Sequence, residues 1–158
     1  MSESTAYEKM LAEEYYHPDD FLAQMAYQCS KDLLYINSTP PRDPKRDEFL
    51  KSFFGGIGEH VTIKGNFHCD YGKHILLGNG CIINCNVTIL DTARVKIGND
   101  VFLAPGVVIS AATHPIDAQK RVDRNPLPSV TAYGSAPTPP FFPALPFGRI
   151  LWLPPELL

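Results

Sequence analysis

Between Leu77 and His114 an aliphatic residue returns every six positions, at Leu77, Ile83, Ile89, then Ile97, Leu103 and Ile109, with one step of eight between Ile89 and Ile97. The segments read LGNGCI, INCNVT, ILDTAR, IGNDVF, LAPGVV and ISAATH. A period of six fits neither the 3.6-residue turn of a helix nor plain strand alternation. It fits short flat strands wound around a triangular coil, one apolar residue per segment pointing inward onto its counterpart a coil below. Three such segments close a coil of about eighteen residues. Extending the frame backwards adds Ile57, Ile63 and Cys69, then a second step of eight to Leu77. From 57 to 114 this predicts nine segments in three coils, near the minimum for a stable stack and in need of capped ends.

The cap is legible upstream. Thr5 and Glu8 have capping-box spacing ahead of an apolar face of Tyr7, Met10, Leu11 and Tyr15. Asp19 or Asp20 caps a second helix carrying Leu22, Met25, Cys29, Leu33 and Ile36 on one side, and Pro40–Pro41 ends it. Asp43 and Pro44 start a third, with Phe49, Leu50, Phe53 and Phe54, that stops at Gly55–Gly56. The expected organisation is a helical region over 5–56, a β-coil with the loop that follows it over 57–122, and a tail over 126–158. That tail holds nine of the 15 prolines and two of the 31 charged residues. Repeated proline removes backbone donors, so the tail is expected to be disordered and unable to extend the coil. It reads as the product of altered splicing or a shifted reading frame after about residue 125.

Composition narrows the function. A net charge of −3 without a basic stripe argues against nucleic acid or an anionic membrane as partner. No run of eighteen apolar residues occurs, and the polar start MSESTAYEKM has no export signal. Four cysteines in such a chain predict reduced, packing thiols and a cytoplasmic location.

The wording of FHCDYGKHILLGNG, INCNVTILD, IGNDVFLAPGVVI and ATHPIDAQKR resembles the maltose and galactoside O-acetyltransferases of the hexapeptide-repeat family, and AEEYY…DLLYINST…RDEFLKSFFGGIG resembles their N-terminal helical domain. The resemblance covers about residues 5–125. It implies a left-handed parallel β-helix behind a small helical domain, a mainly β fold. It also implies acetyl transfer from acetyl-CoA to a hydroxyl of a sugar such as maltose, glucose or a galactoside, within a homotrimer. His114 matches the family's catalytic base, apt because imidazole accepts a proton near neutral pH. Asn84 matches the donor that stabilises the tetrahedral oxyanion. Asp70 and Asp91 match residues at the acceptor pocket, where a carboxylate can accept two sugar hydroxyls. The spiral is expected to set the imidazole of His114 beside the amide of Asn84.

No resident cofactor or metal is implied. A zinc reading through His68, His74 and His114, as in the hexapeptide carbonic anhydrases, has poorly matching spacing. Thr92 stands where the galactoside branch has a second aspartate, and Pro18 is nearest in register to an aspartate that branch places in the first helical turn-around. Family members continue past ATHPID with coils that line the pantetheine arm of CoA, and no such repeat follows here. Two expectations therefore stand: a sugar O-acetyltransferase, or an inactive fragment of one serving as an interaction module.

Overall fold

The computed structural model describes residues 5–14, 16–112 and, as backbone, 132–134. Three helices come first: α1 (Ala6–Leu11), α2 (Asp20–Ser38) and α3 (Pro44–Phe53). Each starts where a side chain satisfies free helix N–H groups. Thr5 and Glu8 form a reciprocal capping box on α1. Asp19 accepts from the Leu22 N–H, and Asp43 accepts from Lys45 and Arg46 ahead of Pro44. Tyr15 lies outside the described residues.

Nine short strands follow. They are β1 (Gly56–Ile57), β2 (Thr62–Ile63), β3 (His68–Cys69), β4 (Ile75–Leu77), β5 (Ile82–Ile83), β6 (Thr88–Leu90), β7 (Val95–Ile97), β8 (Phe102–Leu103) and β9 (Val108–Ser110). They sort into three parallel sheets, β1-β4-β7, β2-β5-β8 and β3-β6-β9, the sides of a triangular prism. The register is the predicted one: Ile57, Leu77 and Ile97 stack, as do Ile63, Ile83 and Leu103, and Cys69, Ile89 and Ile109.

Two details differ from expectation. Strands pair at a spacing of twenty residues, because both coils carry their eight-residue step at the same corner. Each strand also points two residues inward. The residue two places earlier faces the same way along a strand, so Phe67 and Val87, Cys81, and Ile75 and Val95 are buried beside the predicted row. Burying each such aliphatic contributes about 1.5–3 kcal/mol. The interior is close enough that Gly78 must be glycine, since a Cβ there would lie 2.6 Å from the Asn99 Oδ1 one coil on.

The helices close the first coil. Leu33, Ile36, Leu50, Phe53 and Phe54 join one core with Ile63 and Phe67. Two polar side chains stitch this seam. Asn37 pairs with both backbone groups of Phe67 at 2.9 Å. Arg46 is buried to 1 % exposure, donating from Nε to the Ile36 carbonyl and from Nη2 to the Ile63 carbonyl, both at 2.9 Å. Burial lowers its pKa from the ordinary guanidinium value.

The tail corrects the expectation that it adds nothing to the coil. β10 (Ala132–Gly134) pairs in parallel with β7, as a fourth strand on that side. These residues fall in SVTAYGSA, the window between Pro128 and Pro137, where every residue keeps the N–H that a ladder needs. The rest of 126–158, and its expected disorder, lies outside the described residues. Among the described residues no helix is long and apolar enough to cross a membrane.

Candidate active site at the enlarged corner

The prism has three corners, and two are alike. From the first sheet to the second the chain turns through His60, Gly80 and Asp100, all at positive φ. The Asn79 carboxamide accepts from the Glu59 N–H, and Asn99 from Asn79, at 2.8 Å each. From the second sheet to the third it turns through Asn66, Asn86 and Gly106, again at positive φ, with Asn66 donating to Asn86 at 3.1 Å. Asn and Gly tolerate this left-handed conformation, which side-chain sterics deny most residues.

The third corner, from the third sheet back to the first, holds the two extra residues of each coil and is built differently. Asp91 is fully buried here. Its Oδ1 accepts from the Asp70 and Tyr71 N–H groups, both at 2.9 Å, and its Oδ2 from the His74 N–H at 3.3 Å. The His74 Nδ1 donates to the Asp91 carbonyl at 2.6 Å. Its Nε2 meets the Tyr7 hydroxyl at 3.3 Å, tying α1 to the corner. Gly72 is at φ +75°, and a Cβ there would press within 2.6 Å of the Phe53 ring. One carboxylate thus holds the previous coil's whole insertion in shape. Burial pushes the Asp91 pKa up, while those N–H donors and His74 oppose that.

Asp91, expected beside an acceptor pocket, has its carboxylate engaged by backbone N–H groups of the corner. Its oxygens are turned inward and already bonded, so it shapes the loop that presents Asp70. Asp70 itself is half-buried, and no described group donates to its carboxylate. Burial, and then the nearby Asp91 charge, raise it from 3.8 to about 6. Tyr16 and Tyr71 flank it: burial and the charge of Asp70 push both phenols up, with Tyr16 adding to the shift at Tyr71. Sequence reasoning assigned no role to either ring. The signal for Tyr71 was present in CDYG, next to Asp70, whereas nothing in YYHPDD marks Tyr16 as buried beside it.

The described chain also reaches this corner at its last coil. Ala111 donates to the Leu90 carbonyl at 2.8 Å and accepts from the Thr92 hydroxyl at 3.2 Å. With coils spaced about 4.8 Å apart, Ala111 sits roughly 10 Å along the axis from Asp70. His114, three residues on, lies outside the described residues.

Asn84 is elsewhere. It stands at the second corner, where its Oδ1 accepts from the Cys85 N–H at 3.0 Å and no described residue accepts from its amide. The turn at Asn86 and the strand β6 separate it from the Asp91 corner. The expectation that the spiral sets the His114 imidazole beside the Asn84 amide falls on His114, outside the described residues. Successive corners of a prism face different directions, so Asn84 and the Asp91 corner face different ways within one chain. His68 is exposed, and both ring nitrogens of His74 are engaged within the corner. Among the described residues no three His, Cys, Asp or Glu side chains are grouped to hold a metal ion.

Comparison with known proteins places this architecture. Residues 9–58 match the family described as the maltose acetyltransferase hexapeptide capping motif. Galactoside O-acetyltransferase of Lactococcus lactis is 33% identical over 129 residues, 77% of this chain and 61% of that protein. The crystal structure of a maltose O-acetyltransferase from Clostridium difficile superposes with TM-score 0.76 at 33% identity, over 81% of this chain and 69% of that one. A hexapeptide-repeat acetyltransferase from Vibrio cholerae, solved with acetyl coenzyme A, superposes with TM-score 0.72 at 27% identity, over 81% of this chain and 69% of that one. The chain spans 54% to 65% of the length of the first curated relatives it matches. Its mainly β fold, a left-handed parallel β-helix behind a helical cap, is that of these neighbours. The chain belongs to the hexapeptide-repeat acetyltransferases of the maltose and galactoside type.

Proposed function

We propose that this protein transfers the acetyl group of acetyl-CoA to a hydroxyl of a sugar such as maltose, glucose or a galactoside, as a homotrimer in the cytoplasm. The observation that carries the reading is the enlarged corner. A carboxylate with no described donor, raised to about 6, stands near two tyrosines at the corner the described chain reaches again at Ala111. A partly ionised carboxylate accepts hydrogen bonds from neighbouring sugar hydroxyls, and aromatic rings suit the apolar faces of a sugar.

In this reading His114 takes the proton of the bound hydroxyl, and the sugar oxygen attacks the thioester carbonyl carbon. The carbonyl oxygen becomes an oxyanion that accepts from the Asn84 amide. Collapse expels the CoA sulfur, which takes the proton back from the His114 imidazolium. Asn84 and the Asp70 corner face different ways within one chain, so the site is completed between subunits, His114 from one and Asn84 of the partner subunit. Holding both reactants in that cleft supplies the effective molarity the step needs.

The test is release of free CoA from acetyl-CoA with a panel of sugars, followed with a thiol reagent. His114→Ala is expected to lower the rate roughly 100-fold to 10,000-fold. Mixing unfolded His114→Ala and Asn84→Ala chains and refolding them together is expected to restore activity in part, since some sites then hold both intact residues. No CoA release by the unmodified chain with any sugar, together with no binding of CoA by calorimetry, would reject the transferase.

A further inference from the structure

The seam between the cap and the coil holds a feature the transferase reading does not use. Cys29 of α2 and Cys69 of β3 face each other with their sulfurs 3.6 Å apart, and the Cys29 thiol also lies 3.7 Å from the Cys69 carbonyl. Both are free thiols. Cys69 occupies the inward row of the first coil but is partly exposed, because only the helices cover that end, while Cys29 is 2 % exposed. The other two cysteines are placed differently. Cys81 is buried and donates to the Gly98 carbonyl at 3.0 Å, and Cys85 lies at the second corner.

We propose that Cys29 and Cys69 form an oxidisable dithiol, closed to a disulfide by a hydroperoxide, that locks α2 onto the first coil. Cys69, the less buried of the two residues, meets the oxidant first. After losing its proton it attacks one peroxide oxygen, becomes a sulfenic acid and releases the other oxygen as water or alcohol. The Cys29 sulfur then displaces the sulfenic hydroxyl, which leaves as water with the Cys29 proton, and the S–S bond forms. Each sulfur loses one electron and the peroxide takes up both. Bonding needs the sulfurs to approach from 3.6 Å to about 2.05 Å. The hydrogen bond that the Cys69 S–H donates to the Cys29 sulfur, and then burial, hold the Cys69 thiol well above its ordinary value. Little thiolate is present near neutral pH, so the pair responds to sustained oxidant rather than to a brief pulse. Cys69 directly precedes Asp70 in the chain, so closing the bond tugs on the corner described above. That consequence rests on the proposed acceptor role of Asp70; the disulfide itself does not.

The experiment reads the bond and not activity, so it stands apart from the fate of the transferase reading. The full chain is incubated with hydrogen peroxide, quenched, alkylated with N-ethylmaleimide and digested without reductant. Mass spectrometry is expected to find a Cys29–Cys69 linked peptide pair, two hydrogens lighter than the free peptides and split by dithiothreitol. It should be absent in Cys29→Ser and retained in Cys85→Ser. The oxidised chain is expected to melt about 10 °C higher, since the link closes a long loop of the unfolded chain. Recovery of both cysteines alkylated, or as unlinked sulfinic acids, from an unmodified chain that still melts cooperatively would overturn the proposal.

Discussion

The second and third corners of this prism are made by the same coils, yet they solve opposite problems. At the second corner each coil repeats the one before: a left-handed Asn or Gly, an Asn66–Asn86 contact, and steps of six residues. At the third, two extra residues break the repeat, and the surplus backbone N–H groups need an acceptor of their own. Asp91 supplies it, and the loop it holds carries Asp70 and Tyr71. A regular corner can be stable but presents the same surface at every coil. Where the repeat is interrupted, the loop can instead carry a side chain such as Asp70 that has no counterpart in the next coil.

That contrast can be broken or sharpened by substitution. The largest effect is expected at Asn84, whose amide has no described acceptor. Asn84→Ala should lower kcat by about 100-fold to 1,000-fold, with little change in KM. An unchanged kcat would remove the second corner from the chemistry. Asp91→Ala should cost about 3 kcal/mol of stability in urea unfolding, since it strands the Asp70, Tyr71 and His74 N–H groups in a buried corner. A loss below roughly 1 kcal/mol would show that those donors find other acceptors. Asn86→Ala, two residues from Asn84, should do the reverse of Asn84→Ala, keeping kcat while losing about 1–2 kcal/mol, because alanine at positive φ is strained. Asn86→Gly should recover most of that loss.

The smallest effect concerns pH. The folded chain keeps the Asp70 proton up to about 6, against an ordinary value of 3.8. Between those values the native state binds the extra proton, so this group's contribution is full below about pH 4 and is lost as the pH rises through about 6. The group is partly exposed, and screening reduces the effect to about 1 kcal/mol. Asp70→Asn should therefore flatten the stability profile between pH 4 and pH 6. It should be slightly more stable than the unmodified chain at pH 7, while raising the acceptor KM roughly tenfold or more. A pH profile identical to that of the unmodified chain would show that Asp70 ionises freely in solvent.

Much of this was legible in the chain itself. The frame Ile57, Ile63, Cys69, Leu77, Ile83, Ile89, Ile97, Leu103, Ile109 read in sequence is the one observed in space, because coil stacking turns sequence period directly into contact. Caps at Thr5, Asp19 and Asp43 were readable for a similar reason: a helix start is a local event within four residues. Arg46 was not readable, since its partners, the carbonyls of Ile36 and Ile63, are ordinary backbone groups brought close only by packing. Nor was the pairing of Ala132–Gly134 with β7, which joins segments some 37 residues apart without any repeat to announce it.

The division follows from range. Amino-acid order alone determined the strands, their register, the helix starts and the site where the repeat breaks, all set by neighbours along the chain or by a fixed period. Only the tertiary structure decided that Asp91 faces inward, that Tyr16 joins Asp70, that Cys29 meets Cys69, and that Asn84 stands a full side of the prism away from the Asp91 corner. Those facts depend on the direction in which each corner points, and a one-dimensional period carries no record of direction.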